Sequence, residues 1–305
     1  MELLAFGDPH IKPTGATIDY DALEIPSNVD VVVTTGDVVH RTGQEDLRAG
    51  RTFFERLDAA DVPIVGVPGN HDPLDQYDSL VGGLENVVVA HERVVTGDAF
   101  TDVHRDALSG RSIVGWGCER FDCKPEIRLT SFEALDPRDA ANRRYAAAEA
   151  ASRLEDAVFD YVTGDADRTE LERRLGVREG ERRAFREQLS HAESRFDRLD
   201  SLLAAAPAPT VFLSHVPPYN TPLDRHHSIG ERELDLDGLH VGSLSLKLAL
   251  RLHSPVVALS GHSHNGAYQA GIDGKGGVPH LLNLDFRGIV RIRVGSDGAF
   301  GFEFL

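Results

Sequence analysis

Several residue types are scarce in this sequence, and each shortage narrows what the protein can be. Cys118 and Cys123 are the only cysteines among 305 residues, so we expect reduced thiols in the interior and no disulfide framework. No apolar run approaches the roughly 20 residues that a membrane-spanning helix requires. The sequence starts directly with a strand-like segment, which predicts no signal peptide, a cytoplasmic location and no membrane partner.

Positive charge is scarce as well. The formal net charge is −17, and lysine occurs at only four positions, so arginine supplies most of the 32 basic residues. A surface of this kind repels the nucleic-acid backbone, so nucleic acid is not expected as a partner, although a local basic groove is compatible with the composition. The surplus of acidic residues is typical of a protein kept soluble at high salt, or of an acidic mesophilic enzyme.

Five short clusters of carboxylate, amide and imidazole side chains recur along the chain. They are Asp8-Pro9-His10, Gly36-Asp37, Gly69-Asn70-His71-Asp72, His215 and Gly261-His262-Ser263-His264. Each follows a short run rich in Val, Ile or Leu that predicts a buried strand, and helix-like stretches between the first three predict parallel βαβ units. Because the carboxyl ends of neighbouring parallel strands border one crevice, we expect the five clusters to lie together.

The side chains of these clusters are those of a transition-metal site. Carboxylate and imidazole suit Mn, which we expect first, or Fe, Zn, Ni or Co. Two ions about 3.5–4 Å apart that share a carboxylate can clamp an in-line displacement at phosphorus and lower the pKa of a water between them. A single Asp or His at a strand end is more often a cap or a turn residue, but folding alone does not require all five clusters. Together they predict two divalent metal ions and hydrolysis of a phosphate ester.

In their order, the five clusters resemble the pattern of the calcineurin-like metallophosphoesterase superfamily: D-x-H, G-D, G-N-H-[D/E], H and G-H-x-H. The resemblance spans residues 8 to 264. The chain also resembles uncharacterised prokaryotic members that pair H-x-G-S, here His240-Val241-Gly242-Ser243, with the last cluster. The resemblance implies an α/β fold in which two mixed β-sheets pack face to face between flanking helices, a four-layer αββα arrangement.

The resemblance also implies a role for each residue of the clusters. Seven would hold two metal ions: Asp8, His10 and His264 the first, Asn70, His215 and His262 the second, with Asp37 shared by both. A hydroxide between the ions would attack phosphorus. His71 would not bind metal but would act as the general acid that protonates the leaving group, or would stabilise charge on the phosphoryl group.

The second cluster departs from the protein-phosphatase branch, in which it continues as G-D-x-x-D-R-G and the later Asp orients the catalytic histidine. In this chain His40 occupies that position. What orients His71 is therefore open, and Asp72, although adjacent, is expected to point elsewhere. His40 either contacts the substrate, together with Arg41, or serves as a donor close to the metal ions.

Two segments downstream of His215 offer further candidate substrate contacts. Residues 217–227 are rich in proline and turn formers, which predicts a loop at the mouth of the site, with Asn220 as a candidate contact. His240 is a second candidate, and it precedes a predicted helix through Leu252. Free N–H groups near Gly242 and Ser243 either hold a phosphate there or belong to an ordinary capped helix.

One domain is expected over residues 1–305, with a helical insertion over 131–206. Strand signals are almost absent from the insertion, and Gly164, Gly176 and Gly180 divide it into three predicted helices. The last of these carries an apolar stripe formed by Phe185, Leu189, Ala192, Phe196, Leu199 and Leu203. The stripe predicts a face that packs on the helix's own domain, closes over the site as a lid, or forms an oligomer contact.

The last 25 residues contain two strand-like runs, 289–294 and 300–304. The turn-rich Gly295-Ser296-Asp297-Gly298 between them predicts a hairpin. We expect its antiparallel strands to complete the second sheet.

Three functions remain open on these grounds. The first is hydrolysis of a phosphodiester or a small phosphomonoester, so the expected partner is a phosphate-ester substrate. The second is a metal-dependent nuclease with the same site, which needs a groove for a strand and is disfavoured by the acidic composition. The third is a catalytically inactive scaffold or binding protein, disfavoured because every ligand position holds a competent residue type.

Overall fold

Two six-stranded β-sheets form the centre of the fold. The computed structural model describes residues 1–13, 24–118, 126–127, 140–225, 240–272, 280–284 and 286–305, and over 140–148 it describes the backbone. The strands are β1 (Glu2–Phe6), β2 (Val31–Thr34), β3 (Ile64–Gly66), β4 (Val87–Val89), β5 (Arg93–Val95), β6 (Ser112–Trp116), β7 (Thr210–Ser214), β8 (Val257–Ser260), β9 (Tyr268–Ala270), β10 (His280–Asn283), β11 (Ile289–Val294) and β12 (Phe300–Phe304). The helices are α1 (Gln44–Ala59), α2 (Leu74–Val81), α3 (Ala140–Val162), α4 (Arg168–Leu175), α5 (Arg182–Ala205) and α6 (Leu244–His253).

Both sheets are mixed: the first has antiparallel strands at one edge, and the second has an antiparallel strand at each edge. The first has the order β12-β11-β1-β2-β3-β4, in which β1 to β4 are parallel. The second has the order β5-β6-β7-β8-β10-β9, in which β6, β7, β8 and β10 are parallel. The strands that precede the five clusters are β1, β2 and β3 of one sheet and β7 and β8 of the other. The predicted ligands therefore come from the carboxyl ends of neighbouring strands in both sheets.

Four layers result from the way the sheets bury their faces. One apolar cluster between the sheets joins Leu3 and Val33 of the first sheet to Leu213 and Leu259 of the second. The outer face of the first sheet packs on α1 and α2, and that of the second packs on the remaining helices. The predicted arrangement of two mixed sheets with helices outside is confirmed. In the described part of the chain no helix combines the length and apolar character needed to cross a membrane.

The closing hairpin belongs to a different sheet from the one we predicted. β11 and β12 form the expected antiparallel pair, but β11 also pairs antiparallel with β1, with Leu3 opposite Ile292 and Ala5 opposite Val290. The hairpin thus completes the first sheet, and the prediction that it completes the second is wrong. The alternation of the tail indicates a buried strand face, but it carries no information on which sheet receives the strand.

The described part of the predicted insertion, 140–206, contains α3, α4 and α5. Gly176 ends α4 in the left-handed conformation at φ 63, as is common for glycine after a helix. All six residues of the α5 stripe are buried in one cluster with α6 and with Val114 and Phe212 of the second sheet. The stripe packs on the chain's own α6 and second sheet, so an oligomer contact through α5 would have to use its charged outer face.

Candidate metal centre

The oxygen of Asp37 that faces the crevice, Oδ2, is the point on which imidazole groups converge. It lies 3.6 Å from Nε2 of His10, 3.5 Å from Nε2 of His215 and 3.9 Å from Nε2 of His71. With metal–ligand bonds of about 2.1 Å, ligand atoms of one ion lie about 3 to 3.5 Å apart. Asp37 thus occupies the position expected of a carboxylate shared by two ions.

His215 and Asn70 present ligand atoms directly to each other. Nδ1 of His215 donates to the carbonyl oxygen of Thr35 at 2.8 Å, so the other nitrogen of the neutral ring carries a lone pair. That nitrogen, Nε2, lies 2.7 Å from Oδ1 of Asn70. Burial lowers the pKa of His215, which favours the neutral ring. Two lone pairs that face each other in a buried site fit a cation bound to both.

His10 provides a second observation that fits a metal ion. Its ring is 3% exposed, and neither ring nitrogen has a hydrogen-bond partner among the described residues. Burial, which outweighs the nearby charge of Asp37, lowers the pKa of His10 to about 3 and keeps the ring neutral. Buried polar atoms are rarely left without a partner, and a neutral imidazole nitrogen is a good metal ligand.

The last cluster joins this group from the second sheet. The backbone N–H of His262 donates to Oδ2 of Asp8 at 2.6 Å, although the two residues are 254 positions apart. The ring of His262 lies 5.0 Å from the ring of His215, and the ring of His264 lies 5.5 Å from that of His10. All seven predicted ligands therefore lie in one group of contacts between the two sheets.

Electrostatics within the group favour a carboxylate that remains charged. Burial alone would raise the pKa of Asp37, but the imidazole groups of His215, His10 and His71 around it, together with the hydrogen bond from the backbone N–H of His71, outweigh burial and lower the pKa to about 2. Described residues able to surround a cation form two overlapping sets, one of His10, Asp37 and His71 and the other of Asp8, Asp37 and His215. Since Asp37 belongs to both sets, the structure can accommodate two adjacent ions around it.

Backbone strain is concentrated in the predicted ligands. Five of them have φ in the left-handed region that favours glycine: Asp8, His10, Asp37, His262 and His264, at φ between 36 and 66. Non-glycine residues in this region carry a conformational cost of about 1–3 kcal/mol and concentrate at functional sites. The strain is therefore located in the loops that carry the predicted ligands.

Two glycines of the motifs make room for the carboxylates. A Cβ on Gly69 would lie 2.2 Å from Oδ1 of Asp37, and a Cβ on Gly261 would lie 2.3 Å from Oδ1 of Asp8. Any side chain at either position would displace a carboxylate from the crevice. The glycines of the G-N-H and G-H-x-H blocks are therefore required by the space around the carboxylates.

Asp72 connects two of the ligand loops without facing the crevice. Its buried carboxylate accepts hydrogen bonds from the backbone N–H groups of Asp37 at 2.9 Å, Val38 at 2.7 Å and Gly69 at 2.7 Å. Burial and the charge of Asp37 raise its pKa, against the opposite effect of these three donors. Asp72 therefore fixes the backbone from which Asp37 and Asn70 project.

The orientation of His71 is set by a backbone group. Nδ1 of His71 donates to the carbonyl oxygen of His40 at 2.7 Å, and the backbone N–H of His71 donates to Oδ1 of Asp37 at 2.7 Å. The side chain is partly exposed, and Nε2 faces Asp37. The His40 ring lies nearly parallel to the His71 ring at 5.9 Å. A hydrogen bond to a carbonyl thus takes the place of the carboxylate that the sequence lacks.

The other candidate substrate contacts, Arg41, Asn220 and His240, differ in their exposure and in their partners. Arg41 is exposed next to His40. The side-chain amide of Asn220 donates to Glu155 of α3 at 3.0 Å, and Nδ1 of His240 lies 2.7 Å from a carboxylate oxygen of buried Asp224. These contacts tie the loop after β7 to the insertion and to the segment before α6. His226 and His227 of that loop lie outside the described residues. Cys123, in a different part of the chain, lies outside them as well.

The phosphate site predicted at the start of α6 is occupied by the chain itself. Ser243 caps the helix by accepting a hydrogen bond from the N–H of Leu246, and the carboxylate of Glu126 accepts hydrogen bonds from the Ser243 hydroxyl and from the N–H of Leu244. Gly242 is buried against the loop after β7. Glu126 and Ser243 thus satisfy the N–H groups of Leu244 and Leu246, which favours the alternative of an ordinary capped helix, and a phosphate cradle at Gly242 and Ser243 stays a prediction.

One residue that the sequence did not single out holds the last cluster in place. Nδ2 of Asn283, at the end of β10, donates to the carbonyl oxygen of Gly261 at 2.6 Å and to Oγ of Ser263 at 3.1 Å. The hydroxyl of Ser263 donates to the carbonyl oxygen of Leu223. The available signal is an asparagine that follows the short apolar run Leu281-Leu282, but nothing near it in sequence points to Ser263.

The two-sheet fold and this cluster at the strand ends are the features expected of a metallophosphoesterase. The chain belongs to the calcineurin-like phosphoesterase family, whose sequence model matches residues 1–266. The resemblance noted in the sequence is thereby confirmed. Proteins of this family typically use two divalent metal ions, and the chain contains residue groups that can hold them.

Solved structures were also found to be similar to this chain. One crystal structure, 14% identical, matches 99% of this chain and 98% of its own with a TM-score of 0.52, which agrees with the fold described above. TT1561 of Thermus thermophilus is 15% identical, with 99% and 98% covered and a TM-score of 0.46. The phosphopantetheinyl hydrolase PptH from Mycobacterium tuberculosis is 18% identical, with 93% and 88% covered and a TM-score of 0.47. No protein of curated function matches the sequence.

Proposed function

We propose that the protein is a dinuclear metal-dependent phosphoesterase that hydrolyses a phosphodiester or a small phosphomonoester. The observation that carries the proposal is the position of Oδ2 of Asp37, within 3.9 Å of an imidazole nitrogen of His10, His215 and His71. A buried carboxylate surrounded by imidazole nitrogens is suited to hold two cations side by side. The scarcity of cysteine supports a cytoplasmic location for this enzyme.

Seven residues would hold the two ions, with Mn²⁺ as the proposed metal: Asp8, His10, Asp37, Asn70, His215, His262 and His264. When bound, such ions supply an activated water and neutralise charge on the phosphoryl oxygens. The carboxylates and histidines of the cluster fix where the phosphoryl group can sit. The strained loops and the carboxylate of Asp72 hold these groups in place before substrate arrives.

His71 would transfer the proton. Because its Nδ1–H donates to the carbonyl oxygen of His40, the reactive atom is Nε2, which faces the cluster. In the imidazolium form Nε2–H would donate to the leaving-group oxygen and pass its proton to it as the P–O bond breaks. The ring returns to the acid form by taking a proton from solvent, to which its side chain is partly exposed.

Hydrolysis of bis-p-nitrophenyl phosphate and of p-nitrophenyl phosphate, each with EDTA and with added Mn²⁺, tests this function. We expect Mn²⁺-dependent release of nitrophenolate from at least one ester. Asp37→Asn should lose this activity, whereas His191→Gln, which changes an exposed histidine on α5, should keep it. Absence of turnover with Mn²⁺, Fe²⁺, Co²⁺, Ni²⁺ and Zn²⁺ would refute the proposal and favour a binding role for the fold.

A further inference from the structure

Arg287 places a cation beside the metal cluster. Its backbone N–H donates to the carbonyl oxygen of Asp8 at 3.2 Å, and its guanidinium lies over the ring of Phe286, 4.5 Å from the ring centroid. That ring lies 5.3 Å from the ring of His10 and 5.2 Å from the ring of His264. One aromatic ring therefore separates the guanidinium from two predicted ligands of the first metal ion.

The guanidinium of Arg287 has an unused donor. Nε is buried and has no hydrogen-bond partner among the described residues. The contrast with β11 is clear, since Arg291 and Arg293 both pair with Glu2. Arg287 also has φ 58, in the left-handed region that arginine rarely adopts. A strained residue with an unsatisfied buried donor beside a reaction site is poised for an acceptor that arrives with a ligand.

A second loop brings cations to the same cluster. Ile11 pairs with Val39 in a parallel bridge, and the N–H of His40 donates to the carbonyl oxygen of Ile11 at 3.2 Å. This pairing places Lys12, one of four lysines in the chain, alongside the backbone of His40 and Arg41. The His40 ring is half-buried, and after burial itself the charge of Lys12 contributes to the lowered pKa of His40.

His10 contacts both loops. Its ring lies 5.5 Å from that of His40 and 5.3 Å from that of Phe286. Cations thus flank the cluster on two loops in a chain whose net charge of −17 repels anions at long range. These cations can offset that repulsion where the substrate binds.

We propose that Arg287 and Lys12 form an anion subsite beside the metal cluster, and that the substrate is a small phosphate ester carrying a second anionic group, a carboxylate or another phosphate. The inference rests on the proposed phosphoesterase function and specifies its substrate class. The guanidinium fork matches the two oxygens of such a group, and lysine adds a point charge. The scissile phosphate would bind at the metal ions while the second group reaches the subsite.

A matched pair of competitors tests the subsite. 3-Phosphoglycerate and glycerol 3-phosphate differ in a carboxylate that replaces a hydroxymethyl group, so the ratio of their inhibition constants isolates the second charge. With the Mn²⁺-loaded enzyme and the nitrophenyl ester that it hydrolyses, we expect 3-phosphoglycerate to inhibit about tenfold more tightly, the effect of one charge-assisted hydrogen bond. Equal inhibition constants would overturn the proposal.

Substitutions then assign the effect to residues. Arg287→Gln should bring the ratio close to one, Arg287→Lys should restore part of it, and Lys12→Gln should reduce it. Arg93→Gln, which changes an exposed arginine of β5, should leave it as in the unmodified protein. An unchanged ratio of inhibition constants in Arg287→Gln would overturn the proposal. Single-stranded DNA that inhibits more tightly than 3-phosphoglycerate, with the inhibition lost in Arg287→Gln, would also overturn it and would favour a nucleic-acid substrate.

The two proposals can fail separately. If no ester is hydrolysed with any metal, the proposed function fails. Titration calorimetry of both competitors into the Mn²⁺-loaded protein then still measures the ratio of their dissociation constants. Preference for 3-phosphoglycerate that disappears in Arg287→Gln would then support the subsite without catalysis. Hydrolysis without such a preference would support the catalytic function and refute the subsite.

Discussion

Nδ1 of His71 lies 2.7 Å from the carbonyl oxygen of His40, so a backbone group of the second motif orients the candidate acid of the third. A carbonyl, unlike a carboxylate, carries no full charge and therefore stabilises the imidazolium less. It does fix which nitrogen faces the crevice. The orientation of His71 therefore depends on the backbone of residue 40 and not on which side chain that residue carries.

Replacement of His71 should separate proton transfer from metal binding. We expect His71→Ala to keep both metal ions and to lose turnover by a factor of about 10²–10⁴, because a positioned acid acts in the transition state. Elemental analysis and steady-state kinetics on the same sample measure both quantities. His71 also lies close enough to His10 and Asp37 to complete a cation site. A variant with one metal ion per chain would therefore assign His71 to the ligands.

Replacement of His40 should have a different effect. His40→Ala keeps the carbonyl oxygen that accepts from His71, so we expect kcat to change by less than about threefold, while KM rises if the ring contacts substrate. The pH dependence of kcat should keep its shape. A loss of kcat comparable with that of His71→Ala would show that the ring itself takes part in the chemical step.

Asp72 should matter for stability and metal binding although it faces neither metal nor substrate. Asp72→Ala leaves three buried N–H groups without an acceptor, at a cost of about 1 kcal/mol or more each, so we expect the free energy of unfolding to fall by about 3 kcal/mol. Urea denaturation of the metal-free protein measures this change. Asp78→Ala, at an exposed position of α2, is the control. Equal stability of the two variants would argue against the bridging role of Asp72.

Metal removal should destabilise the protein. Binding at about 100 times Kd stabilises a folded protein by about 2.7 kcal/mol, so EDTA should lower Tm by about 5 °C and added Mn²⁺ should restore it. Calorimetry with and without Mn²⁺ measures the shift. Asp37→Asn should show little response, and His191→Gln should respond like the unmodified protein. A Tm that does not depend on metal would count against the site.

The sequence predicted the parts of the site whose signal is a side-chain type at a strand end. Asp8, Asp37 and His215 each follow a strand, and the parallel order of β1, β2 and β3 brings two of them together, as expected. Hydrogen bonds from a side chain to a backbone group could not be predicted, because the carbonyl oxygen of His40 has no counterpart in the amino-acid pattern. Contacts between residues far apart in the sequence could not be predicted either.

Glu126 illustrates that second limit. Its carboxylate binds the start of α6 at a sequence separation of 117 from Ser243, where the sequence left open either a phosphate cradle or an ordinary capped helix. The sheet joined by β11 was missed for a related reason. Alternating apolar residues predict a strand and its buried face, but the partner of that strand depends on the whole topology.

The hydrogen bond from His262 to Asp8 has a consequence for how the protein acquires its metal. A chain growing on the ribosome presents Asp8, Asp37 and Asn70 early, when the first sheet still lacks β11 and the second sheet does not exist. His215, His262 and the Asn283 that holds the last loop follow Asn70 by more than 140 residues and emerge much later. Until then an ion meets at most three of its four predicted ligands, so complete metal loading should wait until the second sheet has formed and should depend on the metal pool that the folded protein encounters.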